Sequence, residues 1–86
     1  MLFSVLVETR LRPGIADPQG ATIERSLPHL GFEGIRGVRV GKAIRFELEA
    51  PDEATALAHA DEVTQRFLTN PVIEDADISL SAIETA

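Results

Sequence analysis

The ten residues Leu11-Arg12-Pro13-Gly14-Ile15-Ala16-Asp17-Pro18-Gln19-Gly20 constrain this chain more than any other stretch. The two prolines each fix φ near about −65° and withhold a backbone donor. The two glycines admit backbone angles closed to other residues. Regular structure entering this segment must end in it, and the next element must start afresh beyond it. A plain surface turn needs far less constraint. The segment therefore reads as a shaped surface, and shaped loops are where partners are engaged.

Upstream of the loop, Leu2 to Leu11 alternate with period two. Phe3, Val5, Val7, Thr9 and Leu11 fall on one face, and Leu2, Ser4, Leu6, Glu8 and Arg10 on the other, which predicts a strand. Downstream, Asp17 fits an N-cap and Pro18 the first helical position. Ile23, Leu27 and Leu30 then make one apolar stripe, and Gly31 fits the C′ stop. Pro28 removes the bond to the Glu24 carbonyl, so the last turn is expected to bend or tighten.

Two further strands are predicted at Ile35 to Val40 and Ile44 to Glu49, joined in a hairpin around Gly41-Lys42. A three-residue loop or a bulge keeps Val38, Val40, Ile44, Phe46 and Leu48 on one face. Pro51-Asp52-Glu53 opens a second helix with acidic residues at its positive end. Leu57, Ala60, Val63 or Thr64, and Phe67 are expected on its buried side, with Leu68 flanking. Asn70-Pro71 closes it, Asn70 in the left-handed C′ position. A last strand spans about Val72 to Ala82.

The predicted order is β-α-β-β-α-β. It implies an α+β, ferredoxin-like split βαβ domain: one four-stranded antiparallel sheet, two helices on one face, and the first and third strands central. The 86 residues make one domain. A chain of this size buries only roughly 60–65% of its unfolded surface, so oligomerisation or docking is a natural supplement. The sheet's other face is mostly polar but carries Leu2, Leu6 and Ile83. That face is read either as a self-association or docking surface or as scattered surface leucines.

Charge and composition narrow the function classes. The net charge of −6 argues against nucleic acid and anionic membrane as partners. No apolar run approaches the roughly 18–20 residues that span a bilayer. Met1-Leu2-Phe3-Ser4-Val5 reads as a strand and not a signal peptide, so the expected compartment is the cytoplasm. Without cysteine there are no disulfides, thiolate metal sites or thiol nucleophiles.

No other residue pattern suggests a catalytic centre. His29 and His59 have no second ligand at metal-binding spacing and read as surface histidines. The four serines lack a nucleophile-elbow context. Asp75 and Asp77 share a strand face and read as a solvated acidic edge. Gly14 and Gly20 flank a helix N-terminus, but their spacing matches neither phosphate fingerprint, and Asp17 itself occupies the cap. Lys42 at a hairpin tip is a solvated charge or a docking point. The residues alone thus predict a small acidic domain that works through its surfaces, with no catalytic, cofactor-binding or metal residues.

Three segments carry a family resemblance: Leu11 to Gly20, Val38-Arg39-Val40-Gly41-Lys42, and Leu68-Thr69-Asn70-Pro71-Val72-Ile73-Glu74. With Leu30-Gly31-Phe32 they resemble PurS, the small-subunit family of bacterial and archaeal phosphoribosylformylglycinamidine synthase. The resemblance runs from about Val5 to Ile78. Arg12 stands where lysine is the more familiar residue, and Pro28 and the tail beyond Ser79 depart from the pattern. The resemblance implies a purine-biosynthesis complex in which a glutaminase subunit releases ammonia and a large synthetase subunit uses ATP and Mg to make the amidine. The small subunit is implied to bridge the two, to assist ammonia transfer, to self-associate as a dimer or higher oligomer, and to hold no active site. On this reading the expected partner contacts are Arg12, Pro13, Gly14, Asp17, Gln19, Gly20, Gly41 and Lys42. Asn70 is read first as a helix stop and second as a contact.

Two other readings share the element order. An ACT-like regulatory domain would bind a small amino acid at a dimer interface. An acylphosphatase-like enzyme would use an arginine in a glycine-rich loop after the first strand, where Arg12 sits, but its water-positioning asparagine is not evident.

Overall fold

A computed structural model describes residues 1–83. The predicted first strand, β1, spans Leu2–Leu11 and forms the centre of the sheet. Its inward residues Phe3, Val5, Val7 and Thr9 are buried, as the alternation requires. On one side β1 pairs antiparallel with β2, Gly41–Glu49, so that Val5 lies opposite Phe46 and Val7 opposite Ile44. On the other it pairs with β3, Glu74–Ile83, with Val5 opposite Leu80 and Val7 opposite Ile78.

The sheet therefore has three strands in the order β2-β1-β3, not the four expected. Ile35 to Val40 is the missing edge strand, and its local bonding shows why. Val38 N–H donates to Glu24 Oε1 at 2.9 Å and Val40 N–H to Asp17 Oδ2 at 2.8 Å. Two carboxylates take the donors that a neighbouring strand would take. Gly34 and Gly37 also sit at φ of 82° and 69°, outside any strand conformation. The Gly41-Lys42 hairpin disappears with that strand: both residues begin β2, opposite Arg10 and Thr9.

The first helix, α1, spans Pro18–Ser26, with Asp17 as N-cap accepting Gly20 N–H at 2.9 Å. At Pro28 the chain tightens as expected, into a 3₁₀ turn over Pro28–Leu30 that stops at Gly31 with φ of 90°. The helix buries only Gly20 and does not pack across the sheet. The expectation of two helices on one face fails at α1, because its carboxylates bind the 38–40 segment beyond the end of the sheet.

The second helix, α2, spans Glu53–Val63, with Asp52 as N-cap accepting Thr55 N–H at 2.7 Å. It lies on the apolar face and buries Ala56, Ala60 and Thr64, and not Leu57, Val63 or Phe67. Ala56 packs with Phe3 and Ala50, while Ala60 packs with Val5 and Val7. Small residues let the helix lie close to β1. The helix continues as a π turn over Thr64–Leu68, closed by Thr69 N–H donating to Thr64 O at 3.0 Å. Thr69 is extended, and among the described residues none but glycine has positive φ, so Asn70 is not a left-handed cap.

Candidate functional site

At one end of the sheet the 12–17 loop, the 38–42 segment and the 69–74 turn converge. The first is a tight turn, Ile15 N–H donating to Arg12 O at 3.1 Å. Pro13 and Gly14 fill its central positions, and the φ of 87° at Gly14 is the requirement of a type II turn. Both are exposed at its tip.

Arg12 fastens this loop to the 69–74 turn. Its N–H donates to Ile73 O at 2.8 Å, and Nη2 donates to Pro71 O at 2.6 Å. Its Nε lies 3.4 Å from Asp75 Oδ1. Asn70 organises the turn from within: its side-chain oxygen accepts Val72 N–H at 3.1 Å, and its carbonyl accepts Glu74 N–H at 2.8 Å. Glu74 answers by accepting Asn70 N–H at 2.8 Å. Lys42 reaches from β2 to the same place, 3.8 Å from Glu74 Oε2 and 3.5 Å from Leu68 O.

Asp17 fastens the loop to the 38–42 segment. Its two oxygens accept Gly20 N–H and Val40 N–H, and its side chain is only 6% exposed. These two backbone donors, and then Arg39, hold its carboxyl below the ordinary carboxylate range against the opposing effect of desolvation. The guanidinium of Arg39 spans the carbonyls of Leu11, Arg12 and Ile15 at 3.3–3.5 Å. Close backbone approach explains two glycines. A Cβ on Gly20 would meet Val38 O and the Asp17 carboxylate, and a Cβ on Gly41 would meet Thr9 O.

The structure thus brings Arg12, Asp17, Gly20, Gly41, Lys42 and Asn70 into one bonded constellation. With Gln19 at its rim, a surface depression of about 250 Å³ opens between Leu11, Asp17, Val40, Lys42 and Glu74. Pro13 and Gly14 project beside it. Sequence reasoning missed Arg39 and Glu24, whose partners lie many residues away in the chain, and Glu74, which joins Lys42 to the turn that begins at Asn70. It read Asp75 and Asp77 as a solvated acidic edge; both are partly exposed, and they pair with Arg12 and Arg10. The cations here are engaged by carbonyls and carboxylates, which makes the arrangement a rigid scaffold. Among the described residues no group of three His, Cys, Asp or Glu side chains converges as a metal site.

Comparison with known proteins decides the family. The profile of PurS, phosphoribosylformylglycinamidine (FGAM) synthase, matches residues 4–82. The chain belongs to the PurS family. A PurS subunit of phosphoribosylformylglycinamidine synthase from Synechocystis sp. is 43% identical over 76 residues, covering 88% of this chain and 76% of that one. The crystal structure of Methanocaldococcus jannaschii PurS, a subunit of formylglycinamide ribonucleotide amidotransferase in the purine biosynthetic pathway, is 32% identical. It superposes with a TM-score of 0.84 over 95% of this chain and 99% of that one. A chain in the structure of PurLQS from Thermotoga maritima is 30% identical, with a TM-score of 0.87 over 94% and 99% of the two chains. The resemblance carried by residues 11–20, 38–42 and 68–74 is a family relationship, and those segments build the converging end of the sheet.

Proposed function

We propose that this chain is the small, non-catalytic subunit of a phosphoribosylformylglycinamidine synthase. It bridges a glutaminase subunit and a large synthetase subunit and assists the transfer of ammonia between them. The match to PurS over residues 4–82 carries the reading. Its likeness to a chain of Thermotoga maritima PurLQS supports a place in a multi-subunit enzyme.

The chemistry of ammonia gives such a subunit its purpose. In water near pH 7 ammonia is protonated and ceases to be a nucleophile, so the junction between its source and its acceptor must exclude solvent. Loops held as rigidly as those around Arg12 and Asp17 suit a surface that must seal without rearranging. In this reading Arg12, Pro13, Gly14, Gln19, Gly20, Gly41, Lys42 and Asn70 form the contact, and Asp17 fixes its shape from inside. ATP and Mg belong to the synthetase subunit, the complex works in the cytoplasm, and the chain self-associates.

Co-purification tests the reading. A tagged form of this chain is expected to retain both the glutaminase and the synthetase subunit of its source. Arg12→Ala combined with Gln19→Ala is expected to weaken retention at least ~10-fold while leaving the far-ultraviolet circular dichroism unchanged. Failure of the unmodified chain to retain either subunit contradicts the reading.

A further inference from the structure

We propose that the core beneath the π turn binds one internal water molecule, held between the hydroxyls of Thr9 and Thr64, and that this water ties α2 to β1 at the root of the three-loop junction. Both side chains lie inside the chain, Thr9 at 4% exposure and Thr64 at 0%. Their Oγ1 atoms are the two buried side-chain oxygens, among the described residues, that have no hydrogen-bond partner. A hydroxyl taken out of water without a partner keeps the whole cost of its desolvation. Native cores leave few such groups, and an internal water is a common way of satisfying them.

Packing brings the two residues to the same place. Ala56 packs with Phe3, and Ala60 with Val5 and Val7, so α2 advances along β1 toward the 12–17 loop. Thr64 lies four residues beyond Ala60, about 6 Å along the helix, and Thr9 two beyond Val7, about 6.6 Å along the strand. The neighbours there are apolar. Ile44, Leu68, Ala76 and Ile78 all pack against the Val5, Val7 and Ala60 cluster, and none offers a side-chain donor or acceptor. Two features make room. Val5 and Val7 face Leu80 and Ile78 across the sheet, but Thr9 faces the smaller Ala76. At Thr64 the helix widens into its π turn, with Thr69 N–H and Thr69 Oγ1 both donating to Thr64 O, at 3.0 and 2.9 Å. A water accepts from one hydroxyl and donates to the other, joining two groups that do not bond directly. Thr9 also stands opposite Lys42, whose ammonium reaches Leu68 O at 3.5 Å, so the water lies under the junction itself.

The test uses the full chain. Its crystal structure at high resolution is expected to show one ordered water within about 3.0 Å of both hydroxyl oxygens. Valine keeps the shape of threonine without the hydroxyl, so Thr9→Val, Thr64→Val and the double change form a cycle, read by urea unfolding at one chain concentration. Each single change leaves the water and the other hydroxyl short of a partner, and is expected to raise the unfolding equilibrium constant at least ~5-fold. The double change removes both hydroxyls at once and is expected to raise it by less than the product of the two single effects. A dry space between the hydroxyls, or hydroxyls bonded directly to protein groups, overturns the proposal. So do single changes that lower the unfolding constant, as deleting a wholly unpartnered hydroxyl does, or single effects that simply multiply. If a variant fails to fold, the crystal structure of the unmodified chain still decides.

Discussion

At Asp17 one carboxylate serves two backbone donors, Gly20 N–H inside the cap and Val40 N–H twenty-three residues on. Both bonds favour the ionised form, so the folded pKa lies below the unfolded value of about 3.9. A depressed carboxylate contributes stability above its unfolded pKa and loses it as pH falls through the folded one. Asp52, held down by Thr55, acts in the same sense. Thermal melts are therefore expected to be flat from pH 7 to pH 5 and to fall below about pH 4. Asp17→Asn should lower the melting temperature at pH 7 and shorten that acid limb. Gly20→Ala offers a sign test. Helix propensity alone favours alanine by about 1 kcal/mol, but the added Cβ meets Val38 O and the Asp17 carboxylate. Urea unfolding should show a net loss of roughly 1–3 kcal/mol.

Among the elements, α2 shows how much was legible in the sequence and where legibility stopped. Its start at Pro51-Asp52-Glu53 and the strand before the first loop follow from local rules. The caps and the Pro28 tightening of α1 do so as well. The buried face of α2 follows only in part. The hydrophobic spacing selected Leu57, Ala60, Val63 or Thr64, and Phe67; Ala60 and Thr64 are buried as read, but Ala56 and not Leu57 faces the sheet, and Phe67 is 83% exposed. Close approach favours small residues that carry little hydrophobic signal, and the π turn rotates Phe67 outward. Ala60→Leu should therefore cost roughly 1–3 kcal/mol in urea unfolding, and Phe67→Ser should stay within about 0.5 kcal/mol. The missing fourth strand has a similar origin. Val38 and Val40 alternate as strand residues do, but their donors go to Asp17 and Glu24, a tertiary bond that no local spacing records. For the site, the sequence identified the loop and the turn, but not Arg39, which holds the loop, or Glu74, which closes the turn.

The whole molecule is a narrow sheet with one covering helix, a projecting arm, and a stiff junction of three loops at the end from which the arm leaves. Its membership of the PurS family fits the role proposed above, one exerted through surfaces. That account makes one demand on activity. Glutamine-dependent amidine formation by the glutaminase and synthetase subunits should require this chain, and the Arg12→Ala, Gln19→Ala form should not restore it. Synthesis from added ammonium salt by the synthetase should proceed without it. The most direct measurement is the glutamine-dependent rate with and without the chain. A rate that appears only on its addition is the predicted result, and a full rate in its absence would contradict the account.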